Sequence, residues 1–186
     1  PMSLDLSMTH CLIPKLAVSD SIKVIDLIKT SFGRDDVDMH YVCKHDIVVL
    51  CHEKSAGEIG DLIGLVLVRI FSGHCMRKIY ELDSLCTSPA RRRQGVASGI
   101  LRYVHNLLPF NAYAKLYIDK DARHDALVLF YVSRGFFTVY TNSAETCMKT
   151  VAKQASNARR IACALMSGVV FCVSATGMVI LADRIF

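Results

Sequence analysis

Between Ile79 and Pro109 the chain runs strand, basic loop, helix, and this order limits the possible folds more than any other feature. Residues Ile79 to Thr87 alternate as a strand does, which puts Glu81, Asp83, Leu85 and Thr87 on one face and Tyr80, Leu82, Ser84 and Cys86 on the other. Pro89 stops the strand and Arg91, Arg92 and Arg93 follow. Val96, Ile100, Val104, Leu107 and Leu108 then mark one face of an amphipathic helix that ends at Pro109. A helix entered from such a loop turns free backbone N–H groups and the positive end of its dipole toward the loop, a setting that favours a pyrophosphate. Gly95 lets the backbone approach a ligand closely, and Ala97 leaves room that a larger side chain would fill. Taken alone, the pattern also fits a surface loop with solvated arginines.

The flanking segments read as a mixed α/β domain. An apolar stretch from Cys11 to Ala17 reads as a strand and precedes a helix whose N-cap is Ser19 or Asp20 and whose apolar face is Ile22, Ile25, Ile28 and Phe32. Ile47 to Cys51 and Leu62 to Phe71, joined across the turn residues 55–60, read as an antiparallel hairpin. After Pro109 come a strand at Tyr113 to Ile118 and a helix at Asp121 to Arg134 closed by Gly135. Strands at Phe136 to Tyr140 and Thr146 to Val151 complete the domain. The expected class is α/β of the α+β type, a mixed and mostly antiparallel sheet flanked by helices, over residues 1–151.

With 186 residues there is room for one such domain and a short appendage. The composition is 52% hydrophobic with mean hydropathy +0.33, and much of the excess lies near the C-terminus. Ile161 to Ala182 is a run of 22 residues without a charge, bracketed by Arg159 and Arg160 before it and Asp183 and Arg184 after it. As a helix it spans the ~30 Å hydrocarbon layer of a bilayer. The sequence therefore predicts a basic linker at 152–160, a transmembrane helix at 161–182 and a short tail at 183–186. Basic residues before the span place the folded domain on the cytoplasmic side in a single-pass, tail-anchored arrangement.

The net charge of +5 comes from 22 Lys and Arg against 17 Asp and Glu, but the basic residues form short clusters rather than a broad face with interleaved aromatics. No nucleic-acid partner is expected. The eight cysteines are scattered without a C-x-x-C pair, as free thiols in a reducing compartment are. Cys43, His45, Cys51 and His52 match no common zinc-ligand spacing, so no metal is expected.

Arg92-Arg93-Gln94-Gly95-Val96-Ala97 resembles the acetyl-CoA loop of the GNAT acetyltransferase superfamily, which reads Gln/Arg-x-x-Gly-x-Gly/Ala between a strand and a helix. Downstream, Ala126 to Phe136 resembles that family's helix ending in Tyr-x-x-x-Gly-Phe, with Tyr131 in the tyrosine position and Gly135-Phe136 closing it. The resemblance covers roughly residues 8 to 151. It implies acetyl-CoA as cosubstrate, bound by Arg92, Arg93, Gln94, Gly95, Val96 and Ala97 and by backbone groups of Leu85, Cys86 and Thr87. Where many members carry Asn early in the second helix this chain has His124.

Acetyl transfer to an amine needs a neutral nucleophile, a polarised thioester carbonyl and a proton for the departing thiolate. By resemblance Glu81 is a candidate general base and Tyr131 the proton donor to the CoA thiolate. Asp83, two residues on from Glu81, is the rival base. Closely placed, the two acids would drive one pKa up toward neutrality. They equally fit attraction of a cationic substrate or pairing with the basic loop. Cys86, expected on the opposite strand face from Glu81 and without a paired base, argues against an acyl-enzyme and for direct transfer. Lys115 and Lys120 are secondary candidates for the nucleotide end of CoA. The amine acceptor is a protein, a peptide or a small molecule. The alternative to an N-acetyltransferase is a non-catalytic acyl-CoA-binding or membrane scaffold protein on the same fold.

Overall fold

The structure, a computed structural model, describes residues 5–55, 58–73, 77–109 and 112–151. The chain divides into two units, Pro1–Ala152 and Lys153–Phe186, and every described residue belongs to the first. The span expected at 161–182 lies outside the described residues. Among the described residues no helix is long and apolar enough to cross a membrane.

Among the described residues seven strands form one sheet in the order β1-β2-β3-β4-β5-β7-β6. The strands are β1 (Leu6–Leu12), β2 (Ile47–Ser55), β3 (Glu58–Ser72), β4 (Lys78–Thr87), β5 (Tyr113–Asp119), β6 (Phe137–Thr141) and β7 (Glu145–Val151). All neighbours are antiparallel except β4 and β5, so the expectation of a mixed, mostly antiparallel sheet holds. The helices are α1 (Val18–Phe32), α2 (Met39–Cys43), α3 (Val96–Leu107) and α4 (His124–Val132).

One sheet face buries Leu65, Leu67, Val48 and Leu50 with Val24 and Ile28 of α1 and Val42 of α2 in a single apolar cluster. Burying each such side chain stabilises the fold by roughly 1.5–3 kcal/mol. The opposite face of β3 packs on α3, where a side chain at Gly64 would bring its Cβ to 2.6 Å from Val96 Cγ1 and 3.0 Å from Ile100 Cδ1. Gly64 therefore sets how closely the helix that begins at the basic loop sits on the sheet.

Several expected boundaries shift for identifiable reasons. β1 begins at Leu6 rather than in the apolar stretch, because its register is fixed by β2, from Leu6↔Glu53 to Leu12↔Ile47. As an edge strand it carries Ser7, Thr9 and His10, which hide it from a hydrophobic pattern. Ile13–Lys15, with Pro14, forms a 3-10 turn, and α1 then starts on Ala17, which offers no side-chain cap. Neither Ser19 nor Asp20 is its N-cap, because both already lie inside the first turn. The buried face of α1 is Ser21, Val24, Leu27 and Ile28, whereas Ile22 and Phe32 are exposed, a rotation of the expected stripe by about one residue. The five-residue helix α2, capped by the Asp38 carboxylate accepting the Tyr41 N–H at 2.9 Å, is too short to show a period.

Candidate active site

β4 and β5 pair through only three positions, Ile79↔Tyr113, Tyr80↔Ala114 and Glu81↔Lys115. Beyond them Leu82 to Thr87 and Leu116 to Asp119 become opposite walls of one cleft of about 540 Å³. α1, α2 and the basic loop close one side of it through Ser31, Tyr41 and Arg92, and α4 closes the other through Phe130 and Tyr131.

The β4 wall is irregular. Leu65 pairs with Cys86 and Leu67 with Asp83, so three steps on β4 answer two on β3, a bulge with one extra residue. Ser84 sits in it at φ 49°, a left-handed conformation that side chains other than glycine adopt at a cost. The bulge overturns the expected alternation. Cys86 shares its face with Leu65, Asp83 and Glu81, while Thr87 pairs with Gly64 on the α3 side. Cys86 is buried, and burial pushes its thiol up to about 12, which keeps it protonated and a poor nucleophile.

At the basic-loop end, Pro89–Arg91 is a 3-10 turn, Arg93 is left-handed at φ 63°, and Gly95 at φ 86° is the N-cap of α3. The first intrahelical bond is Gly99 N–H to the Gly95 carbonyl at 2.9 Å. The N–H groups of Val96, Ala97 and Ser98 thus have no intrahelical acceptor. The loop is braced by Arg91 on Glu53 at 2.6 Å, Arg92 on the Ser31 carbonyl at 3.1 Å and Gln94 on the Ala90 carbonyl at 3.2 Å. Arg92 and Ala97 line the cleft. The Val96 side chain is buried against Gly64, so only its backbone faces the loop.

The two strand acids meet different fates. Glu81 is buried between Arg69 Nη2 and Lys115 Nζ, each 2.6 Å away, and is not among the cleft-lining residues. Asp83 lines the cleft. Its Oδ2 lies 2.9 Å from His45 Nε2, 3.4 Å from Tyr41 Oη and 3.8 Å from Arg69 Nη2. Burial raises its pKa, but the His45 hydrogen bond and the His45 and Arg69 charges outweigh that, leaving it below the ordinary carboxylate range. Arg69, 3.8 Å from Asp83 and 2.6 Å from Glu81, sits between the two acids, so Asp83 moves opposite to the expected rise.

Tyr131 faces the cleft from α4, its ring edge-on to Phe136 with centroids 5.5 Å apart. Burial pushes its phenol up to about 12, so it stays protonated across physiological pH. Arg134 lies over the Phe130 ring and donates to Ser98 Oγ at 2.7 Å, tying the end of α4 to the first turn of α3.

The acetyltransferase (GNAT) family model matches residues 23–136, well over half of the chain. The chain belongs to this family. Solved structures with the same fold include the ribosomal-protein-S18-alanine N-acetyltransferase of Escherichia coli (12% identity, 78% of this chain and 94% of that one, TM-score 0.58). Arabidopsis thaliana Naa50 with the bisubstrate analogue CoA-Ac-MVNAL is similar at 13% identity, 78% and 97% coverage and TM-score 0.59. The PaiA N-acetyltransferase of Thermoplasma acidophilum with coenzyme A is similar at 13%, 78% and 99% coverage and TM-score 0.57. Among curated proteins none matches significantly.

Against the GNAT pattern the departures acquire physical reasons. His124 turns from the cleft to bond Thr146 Oγ1 at 2.8 Å and Asp125 Oδ1 at 3.0 Å. Lys115 is held by Glu81 and by Tyr117 Oη, 3.0 Å away, rather than standing free for a nucleotide, while Lys120 is exposed. Tyr41, His45 and Ser84 were not singled out as site residues by the sequence. His45 drew notice only as a metal-ligand possibility, and among the described residues no group of three or more His, Cys, Asp or Glu side chains is arranged to hold a metal.

Proposed function

We propose that the chain is an acetyl-CoA-dependent N-acetyltransferase that moves the acetyl group directly to an amine. The observation that carries this reading is the cleft opened where β4 and β5 part, with Arg92 and Ala97, Asp83, and Tyr131 all on its walls. Acetyl-CoA is the cosubstrate. Its pyrophosphate meets the free N–H groups at the start of α3, with Arg93, Gln94 and Gly95 shaping the backbone around it. The pantetheine arm runs along Leu85, Cys86 and Thr87. The amine nitrogen attacks the thioester carbon, the carbon–sulfur bond breaks, and Tyr131 gives its proton to the departing thiolate. Asp83, rather than the ion-paired Glu81, meets the acceptor amine. Cys86 carries no acetyl group.

The test is release of free CoA, with mass detection of the acetylated product, from the detergent-solubilised full chain offered peptide N-termini, lysine peptides and small amines. Turnover with one class supports the reading and names the acceptor. Acetyl-CoA binding without turnover on any class replaces it with a non-catalytic acyl-CoA-binding module.

We further infer that residues 161–182 hold the domain at a membrane, with the catalytic cleft on the cytoplasmic side. The support is the length of the uncharged run and the basic residues before it. Full-length protein is expected in the membrane fraction after carbonate washing and a chain ended at residue 152 in the supernatant. Equal solubility of the two removes the anchor.

A further inference from the structure

Behind Asp83 the cleft wall contains a titratable group that acetyl transfer as described above does not use. The His45 side chain is only 2% exposed, whereas that of Asp83 is 34% exposed and faces the cleft. His45 Nδ1 lies 3.1 Å from the Tyr41 carbonyl and 3.3 Å from that of Val42. Both carbonyls only accept, so Nδ1 carries a hydrogen whatever the pH. Nε2 then has one partner, Asp83 Oδ2 at 2.9 Å, and a single proton decides whether that contact is a charge-assisted hydrogen bond or a lone pair facing an anion.

On the cleft side, Tyr41 Oη and Ser84 Oγ are 2.6 Å apart, and Ser84 Oγ donates to Asp83 Oδ1 at 3.3 Å. One hydrogen on each hydroxyl satisfies the series Tyr41 to Ser84 to Asp83, which leaves Oδ2 to His45 Nε2 at 2.9 Å and, farther off, to Arg69 Nη2 at 3.8 Å. Ser84 reaches this place because the bulge turns it out of the β3 register.

We propose that His45 is a positioning residue for the acceptor amine, acting through Asp83: the pair together receives the proton that the amine must lose, and the Nε2–H so formed holds the carboxylate in the cleft wall. The proposal rests on the acetyl-transfer reading. In the step, an N–H bond of the substrate ammonium breaks and Asp83 takes the proton. It passes across the 2.9 Å contact to form Nε2–H, and the nitrogen keeps the electron pair that attacks the thioester. A carboxylate with strong hydrogen-bond and charge partners is by itself a weak base. The imidazole nitrogen 2.9 Å behind it gives that proton a second place to rest.

The charges that bear on the pair come from several elements. Arg69 on β3 is 3.8 Å from Asp83 Oδ2 and shared with Glu81 on β4. Arg34, paired with Asp36 before α2, lies over the Tyr41 ring with 5.4 Å to the centroid. Asp46, next to His45, spends its carboxylate on the Ile70 N–H at 2.6 Å.

The experiment follows the full chain in detergent through two readouts. In steady state, kcat/KM for the amine is expected to fall on an acidic limb. His45→Gln, whose amide can hold Asp83 but cannot take a proton, is expected to lose that limb and at least tenfold in kcat with acetyl-CoA affinity unchanged. Tyr41→Phe, which leaves the imidazole–carboxylate contact in place, is expected to keep the limb and raise KM. Independently of turnover, the His45 Nε2 resonance, assigned by its absence in the glutamine variant, is expected to titrate, and Asp83→Asn to move its midpoint to lower pH. An unmoved midpoint in Asp83→Asn, or a wild-type limb and rate in His45→Gln, overturns the proposal. If the wild-type chain acetylates no amine, the acetyl-transfer reading fails, while the nitrogen titration still decides whether His45 and Asp83 share a proton.

Discussion

The two ends of the cleft are built in opposite ways. The basic-loop end, where we propose the cofactor binds, comes from one continuous stretch, residues 88 to 98, in which a proline, an arginine run, a left-handed glycine and a helix start follow one another. The other end, where we propose the acceptor amine sits, gathers Tyr41 from a five-residue helix, His45 from the turn after it and Asp83 with Ser84 from a bulge some forty positions later. The first depends on backbone conformation, which neighbouring residues dictate. The second depends on side chains brought together by sheet register, so a single substitution there should alter chemistry without disturbing cofactor binding.

The sharpest tests separate the ends. Asp83→Asn is expected to lower kcat/KM for the amine by about 100-fold or more, the scale of a lost proton-transfer group, with acetyl-CoA affinity nearly unchanged. Gly95→Val should do the reverse. Nothing within 4 Å would meet its Cβ, but φ 86° is a conformation a β-branched residue avoids at a cost of about 1–3 kcal/mol. The loop is expected to shift and acetyl-CoA to bind about tenfold or more weakly by calorimetry, while stability falls by no more than that strain, because the exposed loop can relax part of it. If both variants lower cofactor affinity alike, the ends are not independent.

This contrast also explains what could be read without coordinates. The strand–loop–helix order, Tyr131 with Gly135-Phe136, and the mostly antiparallel sheet were legible because each is a local pattern with its own period or turn chemistry. The bulge was not: strict alternation from Ile79 to Thr87 assigns Cys86 to the wrong face, and only the pairing with Leu65 and Leu67 corrects it. The partition between Glu81 and Asp83 was equally hidden, because it is made by Arg69 on β3 and Lys115 on β5, neither near them in sequence. His45 stood in a cluster weighed only for metal binding, although its partner is a carboxylate thirty-eight residues away.

Glu81 and Asp83 supply a narrower version of the same comparison. Glu81→Gln leaves Arg69 and Lys115 without their carboxylate, and because Arg69 is 38% exposed water recovers part of the loss. Chemical denaturation is expected to show about 2 kcal/mol of destabilisation with kcat within a few-fold of wild type. A large fall in kcat at full stability would return Glu81 to the role of general base.

The pH dependence of stability adds a smaller effect of defined sign. Asp83 has a folded-state pKa below its unfolded value of about 3.9, so its contribution is present above that value and is lost as pH falls through the folded one. Wild type and Asp83→Asn should therefore differ in stability at neutral pH and converge in acid, once the pH has fallen through the lowered folded-state value. A gap that persists there would mean that the aspartate acts through packing rather than charge.

Cys86 should show the smallest effect on catalysis, and that is what makes it informative. The bulge turns it to the face of Asp83 and Glu81, which removes the geometric argument against an acyl-enzyme. What remains is chemistry: a thiol raised to about 12 has almost no thiolate at neutral pH. Cys86→Ala is thus expected to keep kcat within about twofold and to cost about 1 kcal/mol from the lost buried sulfur. Product formation that vanishes in this variant while acetyl-CoA still binds, together with an acetylated Cys86 trapped in the wild type, would show that the acetyl group stops on the sulfur before it reaches the amine. The Asp83–His45 pair would then serve only the second half of the transfer.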